Sequence, residues 1–112
     1  MHELGITRNI VAIVGDAAAG RRVRRVTLEV GKLSGVMSDA IAFCFDIAAA
    51  GTALEGARLD IREIDGRMRC SDCGDEFTAA TLFQACACGS RKLVRLAGEE
   101  LNVKSMELEE AA

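Results

Sequence analysis

Four of the five cysteines in this chain stand in two close pairs, and each pair is followed by a glycine. The first pair is Cys70-Ser-Asp-Cys73 and the second is Cys86-Ala-Cys88. Zinc prefers four tetrahedral ligands, and two turns that each carry two thiolates are typical of closed structural zinc sites. We therefore expect these four cysteines to bind a structural Zn(II). An iron–sulfur or rubredoxin-like iron site is the alternative that this spacing leaves open.

The single histidine, His2, suggests a second metal site at the start of the chain. The α-amine of Met1, the amide nitrogen of His2 and a ring nitrogen of His2 can reach one ion together. A planar set of nitrogen donors suits Ni(II) or Cu(II), and its affinity should rise with pH near the reference pKa of the amine, about 8. Glu3 could complete or orient the site through its amide nitrogen or carboxylate, and Asp39 could approach from a neighbouring helix. A solvated histidine at a frayed terminus is the simpler interpretation of the same residues.

Hydrophobic periodicity predicts the elements that must position these residues. The predicted order is a helix over 4–19, a strand over 22–33, a helix over 39–50, and strands over 57–64 and 100–109. The first helix is expected to bury a stripe made of Ile6, Ile10, Ile13, Val14 and Ala17. Ser38 is the expected N-cap of the second helix, whose apolar stripe includes the fifth cysteine, Cys44. The alternation of the last strand slips near Ser105, which predicts a β-bulge there.

The segment 66–97 holds the two cysteine pairs but few large aliphatic side chains, so it needs a metal ion to fold. The last strand has no partner nearby in sequence, and we expect it to pair with the strands that precede the segment. The prediction is therefore an α+β fold with a small three-stranded sheet, two helices and an inserted rubredoxin-like zinc-ribbon module. Residues 1–65 and 98–112 would form one discontinuous α/β domain, and 66–97 the zinc-binding module.

Composition and charge exclude several classes of protein. The formal net charge of −3 argues against binding to nucleic acid by phosphate neutralisation. There is no apolar run long enough to span a membrane and no signal-peptide pattern, so we expect a cytoplasmic protein, in which disulfides are disfavoured. One histidine at position 2 and no glycine-rich phosphate loop leave no catalytic constellation to assemble. We therefore expect a protein that is not an enzyme.

Motifs at both ends and in the middle of the chain occur together in one known family. They are Met1-His2-Glu3-Leu4, the strand end Val30-Gly31-Lys32-Leu33-Ser34-Gly35, the two cysteine pairs, and the closing segment 100–109. With these motifs in this order, the whole chain resembles the HypA/HybF family of hydrogenase maturation nickel metallochaperones. The resemblance implies a nickel-binding α/β domain and a structural zinc held by Cys70, Cys73, Cys86 and Cys88.

The resemblance also implies the nickel ligands and the partners. Ni(II) would be held by the amine of Met1, the imidazole of His2, and the backbone nitrogens of His2 and Glu3. It would be delivered to the large subunit of a nickel–iron hydrogenase, in partnership with a HypB-type GTPase and, in some family members, with urease maturation factors. The expected oligomeric state is a monomer or a weak homodimer, with no membrane association.

The chain departs from the family at Cys86-Ala-Cys88, where the family has two residues between the cysteines. This looks like a one-residue deletion, and it makes the second half of the zinc site the part whose geometry most needs checking. The alternative function is a zinc-ribbon module for protein or nucleic-acid interaction with no nickel role. Its basic surface would be formed by Arg21, Arg22, Arg24 and Arg25, although a solvated strand edge explains that cluster more simply.

Overall fold

The computed structural model describes residues 2–110, so the predicted amine ligand Met1 lies outside the described residues. The helices are α1 (Glu3–Ala18) and α2 (Ser38–Ala49). The strands are β1 (Val23–Gly31), β2 (Arg58–Ile64), β3 (Gly66–Cys70), β4 (Glu76–Ala79), β5 (Leu93–Ala97) and β6 (Leu101–Leu108). The order of elements confirms the sequence prediction, with each of its two helices and three strands displaced by at most two residues at either end.

The first sheet has the strand order β2-β1-β6, with β1 parallel to β2 and antiparallel to β6. The closing strand therefore pairs back with the first part of the chain, as predicted. Its register with β1 shifts between the pairs Thr27–Ser105 and Leu28–Val103, which leaves Lys104 as the extra residue. This is the predicted bulge, and it keeps the apolar residues on both sides of it directed to the same face.

Both helices cover one face of this sheet. Alternate residues of β1, including Val26 and Leu28, are fully buried, and Phe45 of α2 packs in the same core. The predicted stripe of α1 is partly wrong, because Val11 and Ala18 are buried whereas Ile13, at 60%, and Ala17 are exposed. The helix is rotated relative to that stripe because α1 packs against α2 as well as against the sheet.

The start of α2 also differs from the prediction. Ser38 is the first residue of the helix and not its N-cap, which is Met37 without a side-chain cap. The hydroxyl of Ser38 donates instead to Oε1 of Glu63 on β2, at 3.1 Å. Cys44 is a free cysteine and is half-buried, so it is less enclosed than the predicted core position.

The second sheet has the order β4-β3-β5, and both of its strand pairs are antiparallel. Its core is small, with Leu33, Met68 and Ala79 as its buried apolar residues. Two helices and two three-stranded sheets confirm the predicted α+β class. The division into an α/β domain and a zinc-binding module at 65/66 and 97/98 stays a prediction.

The two sheets meet at a close-packed junction. Leu33, just after β1, extends its side chain into the core of the second sheet, and its N–H donates to the carbonyl of Gly98 at 2.7 Å. A Cβ atom placed on Gly66 would lie 2.5 Å from the carbonyl oxygen of Ala79 and 2.6 Å from the Leu33 side chain. The backbone can approach this closely only because residue 66 has no side chain.

Candidate metal centres

The four paired cysteines meet at one end of the second sheet. Cys70 is the last residue of β3 and Cys73 follows in the next turn, whereas Cys86 and Cys88 lie in the long connection between β4 and β5. All four sulfurs lie within 4.8 Å of one another. Within residues 2–110 this is the only group of three or more histidine, cysteine or carboxylate side chains close enough to share an ion.

The sulfur separations fit a tetrahedral metal. The Cys70 and Cys88 sulfurs are 3.7 Å apart, and the Cys73 and Cys86 sulfurs are 3.6 Å apart. A tetrahedron with zinc–sulfur bonds of about 2.3 Å has edges of about 3.8 Å. Two of the six separations match this edge and all six are within 4.8 Å, so the side chains converge on a point where a Zn(II) ion could be held.

The two cysteine turns close in the same way although they differ in length. The N–H of Gly74 donates to the carbonyl of Cys70 at 2.9 Å, and the N–H of Gly89 donates to the carbonyl of Cys86 at 2.8 Å. Both glycines have left-handed backbone angles, with φ of 78° and 91°, which residues with a Cβ rarely adopt. The second turn reaches this arrangement with one residue fewer, so the departure from the family spacing leaves its sulfurs directed at the others.

Neighbouring N–H groups and thiols shift the pKa values of these cysteines in opposite directions. Hydrogen bonds from the N–H groups of Cys73 and Asp72 lower the pKa of Cys70 to about 6, although burial raises it. The N–H of Asp75 lowers the pKa of Cys73, but the sulfurs of Cys86 and Cys70 outweigh it and raise that pKa to about 12. The adjacent thiols therefore cannot all ionise readily on their own. A divalent cation at their centre would supply the positive charge that lets every sulfur bind as a thiolate.

The start of α1 offers a different set of donors. His2 is exposed and is the N-cap of α1, and its side chain makes no capping hydrogen bond. The first helical hydrogen bond runs from the N–H of Ile6 to the carbonyl of His2, at 3.1 Å. The backbone nitrogen of Glu3 precedes this bond and has no partner within the helix, as is general for the first turn.

The Glu3 carboxylate is engaged elsewhere. Its Oε2 accepts a hydrogen bond from the N–H of Met37 at 3.2 Å, and this bond is the main reason that the pKa of Glu3 is lowered. The side chain therefore ties the start of α1 to the residue that caps α2. Asp39 is exposed on the first turn of α2, and the structure does not gather it with His2 and Glu3 into a ligand group.

Two contacts between the cysteine turns were not predicted from the sequence. The hydroxyl of Ser90 donates to Oδ2 of Asp72 at 2.5 Å, and the N–H of Ser71 donates to the carbonyl of Lys92 at 2.8 Å. A polar residue inside one cysteine pair and a serine just after the other were the available signals. The sequence does not show that these two residues bind each other, because they meet only when the fold brings the two turns together.

The arginine cluster is largely engaged within the chain. Arg21 donates to the carbonyl of Glu109 and Arg22 to the carbonyl of Glu55. Arg25 forms ion pairs with carboxylates on both neighbouring strands, β2 and β6. These contacts argue against a free basic surface for nucleic acid. The predicted strand edge is nevertheless wrong, because Arg24 and Arg25 lie on β1, which is the central strand of its sheet and pairs with β2 and β6 on either side. Among residues 2–110, no helix combines the length and the apolar character needed to cross a membrane.

Comparisons with known proteins agree with this architecture. The family described as "Hydrogenase/urease nickel incorporation, metallochaperone, hypA" matches residues 1–108. The hydrogenase maturation factor HypA of a Nostoc species is 56% identical over 110 residues, covering 98% of this chain and 97% of the relative. That of Geobacter metallireducens is 50% identical over 110 residues, covering 97% of this chain and the full length of the relative.

A solved structure shares the fold. The solution structure of the Ni metallochaperone HypA from Helicobacter pylori matches with a TM-score of 0.69 over 96% of this chain and 97% of the other. At 23% identity this match shows the fold alone. The family and its curated members are maturation factors and not enzymes, as the sequence predicted. The match over nearly the whole length confirms the resemblance, and this chain belongs to the HypA family of nickel-incorporation metallochaperones.

Proposed function

We propose that this chain binds Ni(II) at its N-terminus and delivers it to the large subunit of a nickel–iron hydrogenase, with a HypB-type GTPase as its partner. The observation that carries the proposal is the exposed side chain of His2, the only imidazole in the chain, beside backbone nitrogens that precede the first hydrogen bond of α1. The family match begins at residue 1, and the relatives are named for hydrogenase maturation.

The proposed ligands are the amine of Met1, the imidazole of His2, and the backbone nitrogens of His2 and Glu3. Four nitrogens in a plane suit Ni(II), and consecutive residues can supply them without any other part of the fold. The carboxylate of Glu3 does not act as a ligand in this proposal, because it is bound to the N–H of Met37. It ties the start of α1 to Met37, at the start of α2.

Such a site favours transfer. A planar set of donors leaves both faces of the ion open, so the side chains of an acceptor protein can begin to bind before the donor nitrogens leave. His2 is exposed, so an acceptor can approach without prior unfolding. We propose that this transfer takes place in the cytoplasm, by a monomer or a weak homodimer.

We further propose that Cys70, Cys73, Cys86 and Cys88 hold a structural Zn(II). The separations of their sulfurs support this assignment, as does the small core of the second sheet. A bound ion would cross-link β3 to the connection between β4 and β5. The four thiolates fill its coordination positions, so it has none left for nickel or a substrate.

The proposal is tested by metal analysis of untagged protein, wild type and His2→Ala, with and without added Ni(II). We expect the wild type to hold stoichiometric zinc and nickel, and His2→Ala to keep the zinc and lose tightly bound nickel. An N-terminal extension of the wild type is a second control, since it converts the α-amine to an amide and should abolish nickel binding. Stoichiometric nickel in His2→Ala would contradict the proposal.

The family description also names urease, which makes urease maturation factors a second proposed destination. Complementation of a host lacking its own family member tests both destinations. Restored hydrogenase activity without restored urease activity would limit delivery to hydrogenase.

A further inference from the structure

The two cysteine turns are linked by one side-chain bridge outside the sulfurs themselves. The hydroxyl of Ser90 donates to Oδ2 of Asp72 at 2.5 Å. Asp72 lies between the two cysteines of the first turn, and Ser90 directly follows the glycine that closes the second. Across residues 2–110, no other hydrogen bond between non-cysteine side chains joins these turns.

The Ser90 end of this bridge is held by the backbone around the second turn. The carbonyl of Ser90 accepts from the N–H of Cys86 at 3.0 Å, and its hydroxyl oxygen also accepts from the N–H of Lys92 at 3.1 Å. On the other side, Asp72 lies in the turn that links Cys70, at the end of β3, to Cys73. The bridge therefore sets the separation of two segments that each carry sulfurs.

The cysteine cluster has an exposed side where such a bridge matters. Cys70 and Cys86 are buried, whereas Cys73 and Cys88 are exposed. The second turn lies in a connection of 13 residues, 80–92, that contains no helix or strand. An ion can leave from this side only if the two turns move apart. The second turn is not part of a strand, so no strand pairing holds it in place against that movement.

We propose that Asp72 and Ser90 form a clamp that positions the two cysteine turns and slows the release of the metal ion between them. The clamp rests on the proposed binding of a metal by the four cysteines, and neither residue is itself a ligand. A hydrogen bond to an ionised carboxylate is stronger than one between neutral groups, so opening the turns costs more while it is intact. Changes to residues that orient metal ligands typically cost about 10–100-fold in affinity.

The carboxylate could act through its charge instead of its hydrogen bond. A negative charge beside four thiolates is repulsive, so removing it without losing the acceptor should favour retention of the ion. Asp72→Asn makes this change, because the amide oxygen can still accept from Ser90. Asp72→Ala removes both the charge and the acceptor, so the two variants separate the two effects.

The test is the rate at which zinc-loaded protein gives up its ion to an excess of a chromogenic chelator. The variants are Asp72→Ala, Ser90→Ala, the double variant and Asp72→Asn. The matched control is Thr78→Val, which removes the hydrogen bond from Arg67 to Thr78 in the same sheet but away from the cysteine turns. Cobalt-substituted samples of each variant report through their thiolate-to-metal absorption whether all four sulfurs still bind.

We expect Asp72→Ala to release zinc about tenfold faster than the wild type, with an unchanged cobalt spectrum. Thr78→Val should release it at close to the wild-type rate. Asp72→Asn keeps an acceptor but loses the charge that strengthens the bond, so its rate should lie between those of the wild type and Asp72→Ala. The double variant should be no faster than the faster single variant. Equal rates for Asp72→Ala and Thr78→Val would overturn the clamp, as would Asp72→Asn releasing zinc as fast as Asp72→Ala. Wild-type protein that bound neither zinc nor cobalt would overturn the metal assignment itself, and the clamp with it.

Discussion

The cysteine cluster and the start of α1 differ in how much of the fold each one requires. The cluster draws its four side chains from two turns that lie far apart in sequence, and it closes only when β3 and the connection after β4 stand face to face. The proposed nickel donors belong to consecutive residues at one end of a helix. The first arrangement depends on tertiary structure, and the second is almost entirely local.

This difference explains why the ion of the cysteine cluster would be retained, whereas the nickel ion would be transferred. Binding that must fold a segment is strengthened by every contact which that segment then makes, so the ion is released slowly. Binding by consecutive residues at a surface orders little of the chain, and an acceptor can compete for each ligand. The two regions can therefore be distinguished by what happens to the rest of the molecule when each ion is lost.

The largest effect is expected from breaking the cysteine cluster. In Cys70→Ser we expect loss of the metal and of hydrogen-exchange protection in β3, while the amides of β1 stay protected. Met68 and its few buried neighbours form too small a core to hold the second sheet alone, and metal binding contributes about 10–16 kcal/mol in small zinc modules.

Cys44→Ser is the matched control for that experiment, since it removes a thiol outside the cluster. It should leave the metal content unchanged. Protection retained throughout β3 in metal-free Cys70→Ser protein would show that the second sheet does not need the ion, and the contrast between the two regions would be lost.

A smaller effect is expected at the junction between the sheets. Gly66→Ala places a Cβ within 2.5 Å of a backbone oxygen, and the φ angle of residue 66 is not positive, so the cost comes from the contact and not from backbone strain. We expect the free energy of unfolding to fall by about 2–3 kcal/mol, measured by urea titration in excess zinc. Gly5 is exposed on α1 and has nothing within 4 Å of where its Cβ would lie, so Gly5→Ala should instead raise the free energy of unfolding by about 0.5–1 kcal/mol.

Local patterns predicted much of this molecule. The alternation of β1 and β6 was sufficient to place both strands, and the slip near Ser105 predicted the bulge now seen at Lys104. The spacing of the cysteine pairs predicted that four sulfurs would converge. The alternation, the slip and the spacing within each cysteine pair are all visible within short segments, so they could be predicted without knowledge of the tertiary structure.

The features that were missed depend on distant parts of the chain. Leu33 has the pattern of a strand end, yet it packs in the core of the other sheet. Ser38 has the pattern of an N-cap, yet its hydroxyl binds Glu63 on β2. The bond between Asp72 and Ser90 likewise exists only after two turns are brought together. In each case the partner of the side chain lies far away in sequence, and only tertiary packing brings the two together.

The smallest effect, and the sharpest test of the local character of the nickel site, is expected at Glu3. Glu3→Gln keeps an acceptor for the N–H of Met37 and keeps the backbone nitrogen, so nickel affinity should stay within about threefold of the wild type and zinc content should not change. Glu3→Ala releases the tie to α2, and we expect about a tenfold loss of nickel affinity, comparable to the loss of an orienting contact at other metal sites. Both are measured by Ni(II) titration of untagged protein.

The outcome of that titration decides which atom of residue 3 matters. If Glu3→Gln lost nickel as completely as His2→Ala, the carboxylate would be a ligand, and it would have to leave Met37 each time the ion binds. Nickel binding would then break the hydrogen bond that connects α1 to Met37, so the site would depend on the tertiary structure. If only Glu3→Ala weakens binding, the carboxylate acts by holding the chain in position while consecutive nitrogens bind the ion, and nickel can leave without disturbing the packing behind it.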